Sequence, residues 1–193
     1  MPRPARRTTL TTAAAVLAAA GALGAVGLLV SRTAHPETTD ATPTPAWAET
    51  AWPFPADPWG KGKAYRCPAE SCGAEIVVSV RAKLGLCGCV TTIDDDDVDR
   101  VGDVDLIAPE RTALGPGQAI AVRSMKGRSR SYALGGRGAA AKSAIAVALH
   151  ERCDMIVATA ALGVDQPARQ EQAVIEFLRG DAVTRWAEVT LGL

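Results

Sequence analysis

Residues 143–160 read Ser-Ala-Ile-Ala-Val-Ala-Leu-His-Glu-Arg-Cys-Asp-Met-Ile-Val-Ala-Thr-Ala, and this stretch decides the fold. Two apolar runs, from Ser143 to Leu149 and from Met155 to Ala160, flank a polar His-Glu-Arg-Cys-Asp segment. Short apolar runs with β-branched residues on either side of a polar break are typical of two strands joined by a turn. We therefore predict a β-hairpin over this stretch.

Further strands are predicted on the N-terminal side of this hairpin. Residues 75–81 alternate between apolar and polar side chains in the way of a strand. Residues 118–125 and 128–134 read as two more strands, with Gly127 supplying the turn between them. The chain thus contains a series of strands that are neighbours in sequence, which favours an antiparallel sheet.

Helices are predicted before and after these strands. The acidic residues 94–97 suit the positive end of a short helix. Pro167 begins a longer helix, Gly180 ends it, and Asp181 caps a last helix. The predicted fold class is α+β, an antiparallel sheet with helices packed on one face, preceded by an N-terminal apolar helix.

The N-terminal helix is predicted to be an export segment over residues 1–31. Arg3, Arg6 and Arg7 precede a run without charged residues from Thr8 to Ser31. At about 1.5 Å per residue, roughly 20 helical residues cross a hydrocarbon core, so residues 8–31 can span a membrane. The three arginines before this run, its basic head, are expected to keep the N-terminus inside the cell. The chain would then cross the membrane once, with its C-terminal domain outside. Cleavage of a signal peptide is the alternative, and it would leave the domain secreted or periplasmic.

The segment that follows is predicted to be a disordered tether over residues 32–60. It is rich in Pro, Thr and Ala and buries too little apolar surface to offset chain entropy. An extracytoplasmic α+β domain is then expected over residues 61–193. The aromatic stretch from Trp52 to Trp59 has two interpretations, an entry segment that covers the core of the domain or a docking strip for a partner.

Four cysteines, Cys67, Cys72, Cys87 and Cys89, form the strongest candidate site. In an oxidising compartment two disulfides are expected from them. Four thiolates can also hold Zn²⁺ or Cu(I), although spacers of four residues and one residue fit the usual zinc pattern loosely. A redox-active pair is a third interpretation. Because the chain has five cysteines, at least one thiol is left over.

The fifth cysteine, Cys153, lies three residues after His150, which places a base near a candidate thiol. A turn with Cys153 buried or bridged is the structural alternative, and we favour it. The run that holds Asp95, Asp97 and Asp99 is a candidate cation-binding site, but it departs from the EF-hand template at its sixth and twelfth positions. A solvated start of a helix is the alternative interpretation of these carboxylates, and we favour it.

Two resemblances add to these patterns. The order of strand, helix, two hairpins and helices is similar to that of PsbP/Mog1-type domains, which implies an exported accessory role. A second resemblance, to a group of uncharacterised bacterial exported proteins, covers Tyr65 to Pro68, Ser71 to Gly73, Arg81 to Cys89 and Asp99 to Leu106. That resemblance implies export and cysteine content, and it implies no activity.

The composition gives the expected function. With 21 Lys+Arg and 21 Asp+Glu the formal net charge is zero, so we expect no nucleic-acid partner. We predict an exported, membrane-anchored accessory or binding protein with a disulfide-stapled domain, a protein partner of unknown identity, and no cofactor. Catalysis is not favoured. The alternative is a thiol-based protein that uses the four cysteines to bind Zn or Cu or to transfer electrons.

Overall fold

An antiparallel sheet forms the body of the protein in the computed structural model, which describes residues 44–85, 92–135 and 143–193. Its strands in these ranges are β1 (Ala48–Thr50), β2 (Lys63–Cys67), β3 (Ile76–Lys83), β4 (Glu110–Ala113), β5 (Gln118–Val122), β6 (Met125–Gly135), β7 (Ser143–Glu151) and β8 (Asp154–Leu162). The helices are α1 (Ala69–Cys72), α2 (Asp95–Val101), α3 (Pro167–Arg179) and α4 (Asp181–Leu191), with a 3₁₀ helix at Asp103–Leu106. The α+β class is confirmed.

The strand order is β1-β2-β3-β8-β7-β6-β4, and β5 also pairs with β6. Strand β6 is long enough for β5 to pair with its first half and β4 with its second half. The predicted hairpin of residues 143–160 is confirmed as β7 and β8, which close through the pair Glu151 and Asp154. These two strands lie at the middle of the sheet.

The turn between β5 and β6 is not where the sequence predicted it. The predicted turn residue, Gly127, lies inside β6 opposite Leu149, and the chain reverses at Arg123 and Ser124 instead. Arg123 takes the left-handed backbone conformation that a two-residue turn needs, with φ of 52°. A Cβ at Gly127 would lie 1.9 Å from the carbonyl oxygen of Ala148, so this glycine permits close approach of two strands.

Helices cover both faces of the sheet, which corrects the prediction that they pack on one face. Residues Ile145, Val147 and Leu149 of β7 belong to the core beneath α3 and α4. The alternating residues Ala144 and Ala146 belong to a second core beneath α2 and the 3₁₀ helix. Because β7 is apolar at consecutive positions, both of its faces must be shielded from water.

The segment before β2 belongs to the domain, which corrects the predicted boundary at residue 60. Strand β1 extends the sheet by pairing with β2, and the ring of Trp47 stacks on that of Phe177 with centroids 4.3 Å apart. The chain from Trp47 to β2, which we call the entry segment, is therefore part of the domain. Within it, Trp47 packs on the hydrophobic core, whereas the rings of Trp52 and Trp59 lie near Arg81 and Lys83. The export segment of residues 1–31 and the start of the tether lie outside the described residues. Within the described ranges, no helix is both long and apolar enough to cross a membrane.

Replacing Trp47 tests whether the entry segment is part of the folded unit. The indole is partly buried, so Trp47→Ala should lower the free energy of unfolding by roughly 2–3 kcal/mol, below the range for a fully buried aromatic. Urea denaturation followed by circular dichroism measures this loss. Leu114→Ala is the control because that side chain is 62% exposed, and its effect should stay within about 0.5 kcal/mol. Equal, small effects for both variants would contradict the entry-segment assignment.

Candidate functional site

The first two cysteines are joined by a disulfide. Cys67 ends β2 and Cys72 ends α1, and their sulfur atoms are bonded at 2.01 Å. This bond confirms the disulfide interpretation for these two residues. A bonded sulfur is not a thiolate ligand, so the four-thiolate site for Zn²⁺ or Cu(I) is incompatible with this bridge.

The turn of the central hairpin holds a third bridged cysteine. Cys153 is disulfide-bonded, as expected for a turn with a bridged cysteine, so it offers no free thiol to His150. The carboxylate of the next residue, Asp154, accepts a hydrogen bond from the backbone N–H of Gly85 at 2.8 Å. The turn is therefore tied to the chain that leaves β3. Cys87 and Cys89 lie outside the described residues.

The acidic run forms ion pairs with arginines from the sheet. Asp95 contacts the guanidinium of Arg128 and also accepts from the backbone N–H of Gly117 at 3.1 Å. The bond to Arg128, followed by that to Gly117, lowers the pKa of Asp95 below its usual range. Asp99 accepts from Arg130 at 2.8 Å.

The remaining carboxylate, Asp97, caps its own helix. Its backbone N–H donates to Asp94 at 2.8 Å, its side chain accepts from the backbone N–H of Asp94, and Arg100 binds it at 2.5 Å. The three carboxylates thus each bind a different arginine, Asp95 binding Arg128, Asp97 binding Arg100 and Asp99 binding Arg130. In the part of the chain that the structure describes, no group of three or more His, Cys, Asp or Glu side chains is placed to hold a metal ion.

Alternation along β6 brings these arginines to the acidic run. Arg128, Arg130 and Tyr132 project from β6 toward α2. The hydroxyl of Tyr132 donates to the carboxylate of Asp99 at 2.6 Å. Burial, and then this hydrogen bond, raise the pKa of Tyr132 above its ordinary value.

A cleft lies beside these ion pairs between α2 and β6. It has a volume of about 590 Å³ and lies between the end of α2, strand β4 and the second half of β6. Its lining includes Asp99, Glu110, Arg111, Tyr132, Leu134 and Gly135. Because Arg130 and Tyr132 hold the carboxylate of Asp99 from two sides, the cleft presents a fixed acceptor to a ligand.

A groove of about 580 Å³ lies on the opposite face of β6, against α3. Its lining includes Ser129, Ser131, Ile145, Glu171, Ile175 and Arg179. The hydroxyl of Ser131 donates to the carboxylate of Glu171 at 2.6 Å, which ties the strand to the helix along this groove. Polar side chains predominate in this lining, with Ile145 and Ile175 among its apolar contacts.

A buried cluster of charges was not predicted as a unit. Arg81 and Lys83 lie on one face of β3, and both bind the buried carboxylate of Asp103. The guanidinium of Arg81 reaches Asp103 at 2.5 and 2.6 Å, and the ammonium of Lys83 reaches it at 2.9 Å. Burial acts to lower the pKa of Arg81, but the bonds to Asp103 and Asp57 outweigh it and raise that pKa.

The sequence does contain a signal for this cluster. Charged residues at alternate positions of a strand, here Arg81 and Lys83, point to the same face, while Val78 and Val80 point to the other. Two cations on one face of a central strand require buried acids from elsewhere in the chain. Nothing in the sequence pattern singled out Asp103 or Asp57 as those acids.

No protein-family model matches this chain, and no curated protein sequence matches it either. The geometry of the cysteines, the two cavities and the buried charges therefore carries the functional conclusion.

Removing the acid of the buried cluster should be costly. Asp103→Ala leaves two buried cations with too little negative charge, so we expect a loss of roughly 3–5 kcal/mol in the free energy of unfolding. Glu75→Ala is the matched control because Glu75 pairs with Arg66 where both side chains are more than half exposed, and it should cost less than about 1 kcal/mol. Urea denaturation of both variants checks this, and a loss for Asp103→Ala no larger than the control's would contradict it.

The tyrosine beside the cleft gives a test by pH. Tyr132→Phe should destabilise by about 1–2 kcal/mol at neutral pH through loss of the bond to Asp99. The raised pKa keeps Tyr132 protonated in the folded state, whereas an unfolded tyrosine ionises near pH 10. The stabilisation is therefore present in full below pH 10 and is lost as pH rises toward the folded pKa. The stability gap between wild type and variant should narrow above pH 10 in denaturation series, and a constant gap would refute the assignment.

Proposed function

We propose that the chain is an exported accessory or binding protein with a disulfide-stapled domain, held at the cell membrane by residues 8–31. The bridge between Cys67 and Cys72 is the observation that carries this proposal, and Cys153 is bridged as well. Disulfides form and persist on the oxidising side of a membrane and are rare in the cytosol. The basic head and the uncharged run up to Ser31 supply a route to that side.

The binding role is supported by the two cavities beside β6. In the cleft, the carboxylate of Asp99 is already oriented by Arg130 and Tyr132. In the groove, Ser131 and Glu171 are held by their mutual hydrogen bond. Groups that are fixed before a ligand arrives lose little conformational entropy when it binds, which favours recognition.

A thiol-based redox role is the second candidate. The chain has five cysteines, so bridges within one chain leave at least one of them unpaired. A thiol next to a disulfide can exchange with it when its pKa allows a thiolate to form. This candidate requires turnover that depends on a cysteine, whereas the binding role does not.

One experiment tests export and bridging together. The full chain is expressed in an exporting bacterial host, intact cells are treated with a thiol-alkylating reagent, and the membrane fraction is analysed by non-reducing mass spectrometry. We expect the protein at the membrane with residues 8–31 retained, one alkylated cysteine before reduction, and peptides joined through Cys67 and Cys72. The peptide map also identifies the partner of Cys153.

The control variant is Cys72→Ser, in which Cys67 should become open to alkylation while the bridge of Cys153 persists. Recovery of the protein in the cytosol with all five cysteines alkylated would refute the exported, disulfide-stapled role. Reduction of a disulfide substrate that is lost in Cys67→Ser would favour the redox candidate over the binding role.

A further inference from the structure

The segment between β1 and β2, residues 51–62, crosses the buried charges of β3 without forming a helix or strand. We call it the strap. Its one internal turn is closed by a hydrogen bond from the backbone N–H of Gly60 to the carbonyl oxygen of Asp57 at 2.9 Å. Side chains rather than a strand ladder therefore connect the middle of the strap to the sheet.

Asp57 is the acidic side chain with which the strap reaches Arg81. One terminal nitrogen of Arg81 lies 2.7 Å from each carboxylate oxygen of Asp57, and it also donates to the carbonyl oxygen of Gly60 at 3.2 Å. The side chain of Arg81 is 3% exposed, whereas that of Asp57 is 26% exposed. The carboxylate of Asp57 thus stands at the mouth of a site whose cation lies at the bottom.

The charge balance of this site requires an anion where Asp57 stands. Arg81 and Lys83 bring two positive charges into the fold, and Asp103 supplies one buried negative charge. If Asp57 left without replacement, the excess positive charge would be buried and uncompensated, which is strongly unfavourable. A species that takes its place must therefore be negatively charged.

Two tryptophans of the strap complete the walls of the site. The ring of Trp52 lies 5.8 Å from the guanidinium carbon of Arg81, and the ring of Trp59 lies 5.3 Å from the ammonium of Lys83. The indole N–H of Trp52 is buried and has no hydrogen-bond partner among the described residues. A buried donor without an acceptor is costly.

From these contacts we propose that the position held by Asp57 is a binding site for a small organic carboxylate, and that Asp57 occupies it in the absence of ligand. The ligand carboxylate binds Arg81 in place of Asp57, and the strap moves away from the sheet while β1 stays paired with β2. This inference rests on the proposed binding function and deepens it by naming the chemistry of a ligand.

The test uses the full chain with Asp57→Ala, and the probe is acetate. Thermal unfolding of wild type and variant is followed in sodium acetate and in sodium chloride at equal ionic strength. A carboxylate on the same chain competes at an effective concentration in the millimolar range or above. Removing it should therefore lower the melting temperature in chloride, allow acetate to restore it saturably, and tighten the apparent acetate affinity by about tenfold or more relative to wild type.

Two controls make the result specific. Glu49→Ala removes an exposed carboxylate that pairs with Lys63, and the response of its melting temperature to acetate should match that of wild type. Inorganic phosphate tests whether the site prefers a carboxylate over another anion. Because the site accommodates the carboxylate of Asp57, acetate should raise the melting temperature at lower concentrations than phosphate does. Equal responses of Asp57→Ala to acetate and chloride, or to acetate and phosphate, would overturn the carboxylate site.

If Asp57→Ala folds poorly, Asp57→Asn replaces it in the test. This substitution keeps the size of the side chain and removes its charge. In that variant acetate should change the tryptophan emission saturably, because Trp52 and Trp59 lie against the site. An emission that does not change would overturn the proposal. The alkylation pattern and membrane location of the same preparation report on the exported role separately, so failure of one proposal leaves the other open to its own test.

Discussion

The fold depends on the burial of β7 and β8 on both of their faces. Ile145 and Val147 contact the core under α3 and α4, while Ala146 between them contacts the core under α2. A strand that is apolar at consecutive positions loses its hydrophobic stabilisation if either side is wetted. The chain must therefore supply cover for both faces of these strands. The C-terminal helices cover one face, and the segment between β3 and β4 covers the other.

The layer that α2 and the 3₁₀ helix form on the second face is small, and ion pairs hold it on the sheet. Helix α2 and the 3₁₀ helix contribute few apolar residues, but their acids meet cations from β3 and β6. Asp103 is the buried member of these pairs, and Asp95 and Asp99 lie nearer the surface. Because a buried charge without a partner is far more costly than an exposed one, the pair around Asp103 fixes the register of this layer more strongly than the outer pairs do.

The same arrangement joins the fold to the proposed function. Disulfides at the end of β2 and at the β7–β8 turn support a location on the oxidising side of a membrane. The strap connects β1 to β2 and places Asp57 on Arg81. A ligand that competes for Arg81 would therefore act on the strap.

Patterns in the sequence determined the elements whose cause is local. Proline at the start of α3, glycine after its end, the acidic start of α2 and the apolar runs of β7 and β8 each act within a few residues, and each element is present in the structure. The turn at Gly127 was wrong because glycine serves close strand packing as readily as a turn, and only the partner strand distinguishes these two uses.

Tertiary structure alone decided which groups meet across the chain. The helices cover both faces, the entry segment belongs to the domain, and Asp57 and Asp103 converge on Arg81 from separate segments. The partners of Arg81 lie more than twenty residues away from it in sequence on either side. Local periodicity carries no information at such distances, because the pairing depends on how the layers stack. The sequence by itself thus determined the strands, the helices and the presence of cysteines for bridging, while the folded chain decided how the cations of β3 are neutralised.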